Sequence, residues 1–215
     1  MSTLDQTGER STFAERLLAV GRSVKHSGGA AAGRLFHPIY RRRAVRSIEE
    51  GAAFDSVVFV CQGNIFRSPF AEQLFLKLLP PRLAAGLTVS SAGFVGPGRA
   101  CPKPAIALAS ERGVELAAHR SSSIRRNRIG GSTLVVVMGP RQEAAIRMVS
   151  NAGQILVLGD LDPAPATSRT IEDPWSESEE VLHRTYDRVE RCVKELVWLL
   201  VERRSTVAGA RRNRR

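Results

Sequence analysis

From Ser56 onward the apolar positions fall into two alternating textures. Val57-Val58-Phe59-Val60 is an unbroken apolar run, rich in β-branched residues and short. That is the pattern of a strand buried on both faces of a parallel sheet. Thr133 to Met138 repeats it, and Leu87 to Ser91 and Gln154 to Leu158 supply two shorter runs. Between these runs the apolar spacing lengthens to three and four. Ala71, Leu74, Phe75, Leu78 and Leu79 mark one face of a helix that Ser68-Pro69 opens and Pro80-Pro81 stops. Pro104 to Arg112 and Pro140 to about Asn151 read as helices closed by Gly113 and Gly153. Leu182, Tyr186, Val189, Val193, Leu196 and Leu200 predict a long helix from about Ser178 to Glu202. Asp160 to Asp173 is an acidic loop with prolines. Strands alternating with helices mean βαβ units. The expected fold is a three-layer α/β/α domain over residues 56–202, built on a four-stranded parallel sheet.

The ends have a different texture. Residues 1–55 read as an N-terminal extension, partly helical or disordered. In it, Ser11-Thr12 can cap a helix from Phe13 to about Val24, and Ser27 to Gly33 has linker composition. Leu35-Phe36 followed shortly by Arg41-Arg42-Arg43 fits a solvated tail, a helix packed on the domain, or a segment that touches a membrane surface. Residues 203–215 read as a basic disordered tail.

Composition refines this picture. The chain has 215 residues, 43% apolar and 25% charged, which is ordinary for a globular protein. No apolar run approaches the length of a spanning helix, and no secretory leader is visible. Three scattered cysteines, Cys61, Cys101 and Cys192, do not make a disulfide scaffold, so a reducing cytoplasm is expected. The net charge of +11 is unusual, but its distribution decides its meaning. Residues 1–55 and 56–201 each carry +3, while 202–215 carry +5. No interleaving of aromatic and basic residues supports specific nucleic-acid binding. The basic ends are candidates for weak, salt-sensitive contact with anionic surfaces.

The candidate chemistry lies in the turn after the first strand, Cys61-Gln62-Gly63-Asn64-Ile65-Phe66-Arg67-Ser68. In parallel sheets ligands bind beyond the carboxyl ends of the strands, where loops feed helix N-termini. A loop folded back over a helix start aims backbone N–H groups and the helix dipole at an anion. Gly63 and Asn64 are residue types that tolerate the positive φ such a loop needs. Arg67 offers a planar two-pronged donor for phosphoryl oxygens. Cys61 would sit at the bottom of that positive bowl, where its thiolate is favoured as a nucleophile toward phosphorus.

Val57 to Pro69 resembles the signature of the low-molecular-weight protein tyrosine phosphatase family, V-x-F-V-C-x-G-N-I-C-R-S-P. The resemblance extends, in family order, to Ser90-Ser91-Ala92-Gly93, His119 and Ile171-Glu172-Asp173-Pro174-Trp175. It implies hydrolysis of a phosphomonoester through a cysteinyl-phosphate intermediate, without metal or other cofactor. It makes Cys61 the nucleophile, Arg67 the phosphate clamp and Asp173 the general acid, which then serves as base for water. Asn64, Ser68, Ser91 and His119 match the polar network that holds the loop, and Ser68 is also a candidate helix cap. Trp175 matches the aromatic that lines the cleft. The implied partner is a tyrosine-phosphorylated protein, with a bacterial tyrosine kinase one candidate, acted on by a monomeric enzyme. Three positions depart from the family pattern. Phe66 replaces a second loop Cys, Ser122 stands in place of an Arg, and Gly139 stands where an acidic residue is common. Three rival readings share the fold. An arsenate reductase needs two further cysteines close in sequence, whereas Cys101 and Cys192 lie far apart. Phosphoarginine phosphatases carry Thr where Ile65 stands. A phosphate-binding or regulatory module carrying idle catalytic residues is the third, and the presence of Cys61, Arg67 and Asp173 together weighs against it.

Overall fold

A computed structural model describes residues 29–124 and 129–212. The helix expected from Phe13 to Val24 lies outside them. The four runs of continuous apolar texture are the four strands: β1 (Ser56–Cys61), β2 (Thr88–Gly93), β3 (Thr133–Val137) and β4 (Gln154–Val157). They form one sheet in the order β2-β1-β3-β4, and every neighbouring pair is parallel. Cys61 is therefore the last residue of a central strand, paired in register with Gly93.

Successive residues of each strand point to opposite faces, and both faces are covered. Val57, Phe59, Leu134, Val136 and Leu156 join a large core with Phe70, Leu74, Phe75, Leu182, Tyr186, Val189 and Leu196. Val58, Val60, Val135, Val137 and Val157 join a smaller core with Ala92 and Ile146. The larger core holds the helices α2 (Arg67–Leu78) and α6 (Glu179–Arg212), which pack on each other, and α4 (Lys103–Glu111). A short α3 (Pro81–Ala84) starts at the proline pair that ends α2. Helix α5 (Pro140–Val149) lies on the other face. The strand and helix bounds differ from expectation by a residue or two, as is usual at frayed ends.

The two ends depart further from the sequence reading. Helix α1 runs Gly29–Glu50, so the linker expected up to Gly33 is helical from Gly29 on. Its small residues serve close packing. A Cβ at Gly33 would stand 1.8 Å from the carbonyl oxygen of Thr167, so the backbones meet where only glycine fits. Leu35–Arg43 is not a solvated tail but part of a helix packed on the domain. Ala44 and Ile48 are buried in the large core, Arg41 forms an ion pair with Glu195 of α6, and Arg203 donates to the carbonyl of Ile48 at 2.9 Å. Helix α6 also continues past Glu202 to Arg212, where a disordered tail was expected. The added Arg and Ala residues are good helix formers, and proline is absent.

Candidate active site

The loop from Cys61 to Arg67 closes over the start of α2, at the carboxyl edge of the sheet. Cys61 is 1% exposed. Its Sγ accepts the backbone N–H of Asn64 at 3.1 Å and the hydroxyl of Ser68 at 3.0 Å. Of the two residues expected to reach positive φ, Asn64 does so, at 52°. Gly63 has another role: a Cβ there would meet Arg99 and Ile65 at 3.3 Å. The helix cap is Phe66, which makes no side-chain cap bond. Ser68 is therefore not the cap, because its hydroxyl is engaged with the sulfur.

Asn64 is the hub of the loop. Its Nδ2 donates to Ser68 Oγ at 2.9 Å and to Ser91 Oγ at 2.8 Å, while its Oδ1 accepts the N–H of Ser122 at 2.7 Å. Ser122 thus supports the loop through its backbone. Nε2 of His119 lies 2.9 Å from the Asn64 carbonyl oxygen. A carbonyl only accepts, so this nitrogen carries the hydrogen. Burial lowers the His119 pKa from its ordinary value; the bond to Asn64 opposes that, and nearby Arg120 adds to it.

One member of this network escaped the sequence reading. Ser91 Oγ donates to Glu72 Oε2 at 2.5 Å, a distance typical of a hydroxyl on a carboxylate. Glu72 accepts Ser91's single proton, so Ser91 must accept from Asn64. The two Asn64 protons go to Ser91 and Ser68, so Ser68 keeps its own proton to donate, to Cys61 Sγ at 3.0 Å with the Ala92 carbonyl farther off at 3.4 Å. An acceptor-only group at the far end orients a chain of hydroxyls toward the sulfur. Burial pushes the Glu72 carboxyl up, against the pull of Ser91. The available signal was spacing: Glu72 follows Ser68 by one helical turn and shares its face.

Arg67 is 3% exposed. Its Nη1 donates to the carbonyl of Ile171 at 3.0 Å, its Nη2 is ion-paired with Asp173, and its buried Nε has no protein partner. The free Nε–H is a donor suited to a phosphoryl oxygen. The loop bearing Asp173 is tied to the sheet by the Ile171 N–H, which donates to Met138 O at 2.8 Å. Gly139 packs against Thr170 of the same loop, where a Cβ would come within 2.7 Å of the hydroxyl. Trp175 is 58% exposed and stands edge-to-face with Phe66, ring centroids 6.3 Å apart. Phe66, in the place of a second loop cysteine, thus backs the exposed Trp175 from the buried core.

Two further residues brace the loop from outside the expected set. Arg99 Nη2 donates to Gly63 O at 2.6 Å. The Tyr186 hydroxyl lies 3.4 Å from the carbonyls of Phe66 and Ala105, under a ring stacked on Phe70. Cys101 and Cys192 are buried, and burial pushes both thiols up, Cys101 to about 12. All the residues expected at the site are thus accounted for. Gln62, Gly63, Asn64, Ile65, Phe66, Arg67 and Ser68 form the loop, and Ser91, His119, Asp173 and Trp175 converge on it.

The chain is similar to known proteins in sequence and in fold. Wzb, a low molecular weight protein-tyrosine-phosphatase of Escherichia coli K12, is 30% identical over 145 residues, covering 66% of this chain and 92% of its own. Etp, another from that organism, is 29% identical over 146 residues, covering 66% and 92%. The structure of the YwlE arginine phosphatase from Geobacillus stearothermophilus superposes with a TM-score of 0.58 at 28% identity, covering 68% of this chain and 93% of that one. The family described as low molecular weight phosphotyrosine protein phosphatase matches residues 56–206, about seven-tenths of the sequence. The chain belongs to that family.

Proposed function

We propose that this protein is a cysteine-dependent tyrosine phosphatase that hydrolyses phosphotyrosine monoesters. The observation that carries the reading is the convergence on one sulfur. Cys61 Sγ receives two hydrogen bonds at the floor of a loop whose Arg67 is paired with Asp173. In the first step Sγ attacks phosphorus, the S–P bond forms, and the bond to the phenolic oxygen breaks as Asp173 delivers a proton to that oxygen. In the second, Asp173 takes a proton from water, whose oxygen attacks phosphorus and releases the thiolate and inorganic phosphate. Phosphoryl oxygens and the Asp173 carboxylate compete for one guanidinium. Binding therefore releases the carboxyl for the leaving oxygen.

Trp175, 58% exposed and backed edge-to-face by Phe66, gives the site an apolar surface suited to a phenyl ring. The likeness to an arginine phosphatase keeps a phosphoguanidinium substrate as the rival. A disulfide relay to a reductant is disfavoured, because Cys101 and Cys192 are buried thiols. The partner is a tyrosine-phosphorylated protein, with a bacterial tyrosine kinase the first candidate, and the setting is the cytoplasm.

The test is hydrolysis of a chromogenic aryl phosphate, abolished by Cys61→Ser. Phosphotyrosine and phosphoarginine peptides compared side by side decide the substrate class. Preference for the phosphoarginine peptide, or activity surviving Cys61→Ser, would refute the proposal.

A further inference from the structure

Helix α1 has two faces, and the domain uses one. His37, Ala44 and Ile48 are buried against the domain, with Arg41 on the same side bound to Glu195. On the outward side Leu35 is 73% exposed, Phe36 48% and Ile39 45%. At about 100° of rotation per residue, these three fall within roughly one-third of the helix circumference. Exposed Arg42, Arg43 and Arg46 continue that side in the next two turns, and exposed Arg34 precedes it. A lone exposed leucine means little, but three large apolar side chains bordered by four arginines form a patch of defined chemistry.

The orientation of α1 adds to this. Its C-terminal end lies at the start of the strands, where Gln154 Nε2 donates to Ser47 O at 2.6 Å. Its N-terminal half meets the segment after β4 that leads toward Asp173: Arg169 lies over the Tyr40 ring at 4.4 Å, and Gly33 touches Thr167. Leu35 and Phe36 therefore project near the end of the sheet that carries Cys61. No described helix is long and apolar enough to cross a membrane, so contact through this face is peripheral.

We propose that the outward face of α1 docks this enzyme on an anionic lipid bilayer. Leu35, Phe36 and Ile39 enter the headgroup–acyl boundary, and the arginines pair with acidic headgroups. An anionic bilayer fits better than a protein groove, because the charged border of the patch has one sign over the first five turns.

The experiment is flotation of the full chain with vesicles of phosphatidylglycerol and phosphatidylcholine, set against phosphatidylcholine alone. Binding is expected only to the acidic vesicles and should weaken with added salt. The triple change L35S/F36S/I39S should lower the partition on the order of tenfold. R42E/R43E should lower it by a similar factor. Hydrolysis of the aryl phosphate should be unchanged in both variants, which separates this inference from the reading of the active site. Failure to float with acidic vesicles would overturn the proposal. So would flotation insensitive to the serine changes, which would assign binding to the basic ends. A dimer in sedimentation that the serine changes dissolve would assign the face to a second copy. A fall in melting temperature of the triple variant would show the face already covered within the chain. Either result would also overturn it.

Discussion

Arg67 and Asp173 are each other's counter-ion, one 3% and the other 41% exposed. An anion that takes over the Arg67 guanidinium must therefore displace Asp173. Asp173→Asn removes the competing charge and the proton at once. Turnover of aryl phosphates with poor leaving groups should fall about a hundredfold or more, and good leaving groups should be affected much less. Inorganic phosphate should meanwhile inhibit the variant at lower concentration than the parent. Equal losses for all leaving groups would contradict the acid role.

The hydroxyl chain from Glu72 to Cys61 predicts a positioning effect. In Glu72→Gln the amide can donate as well as accept, so the proton of Ser91 is no longer forced outward. Alkylation of Cys61 by iodoacetamide near neutral pH should slow about fivefold, the order of one charge-assisted hydrogen bond. The rise of the alkylation rate with pH should move to higher pH. A variant that was merely less stable would leave that profile in place.

Alkylation also reads out the other cysteines. Burial pushes the thiols of Cys101 and Cys192 up, away from the reactive thiolate form. The native chain should take one label at neutral pH and the denatured chain three, counted by mass.

His119 carries a pH prediction with a definite sign. Its folded value is lowered from 6.5. The unfolded chain therefore binds the proton more readily, and the folded state loses stability as pH falls below 6.5 through the folded value. The imidazole should titrate by NMR below 6.5, and His119→Asn should flatten the decline of the denaturant midpoint over that window. A midpoint above 6.5 would contradict the half-buried neutral ring.

Helix α1 is predicted to be part of the folding unit. Ile48 is fully buried in the large core. Ile48→Ala should lower stability by about 2 to 5 kcal/mol while leaving aryl phosphate turnover at low temperature intact. A thermal melt with an activity control measures both.

The sheet and the Cys61 loop were legible because both are local. Val57 to Val60 and Thr133 to Met138 are continuous apolar runs, and the loop with its Cys and Arg occupies eight consecutive residues. What stayed hidden depends on pairings distant in sequence. Glu72 reads as one more polar helix position until the parallel pairing of β1 with β2 brings Ser91 to it. Arg99 acquires a role only when its loop folds back to the Gly63 carbonyl. The glycine and alanine at the start of α1 look like a linker, since close approach to Thr167 leaves no trace in composition.

The ion pair between Arg41 and Glu195 joins positions 154 residues apart, and that separation sets an order of events during synthesis. A ribosome releases α1 among the earliest described elements and α6 as the last of them. Through nearly all of translation the inner face of α1, with Ala44 and Ile48, waits without the helix it rests on. The N-terminal extension is made early and secured late, so nascent chains halted before α6 should leave α1 open to proteases.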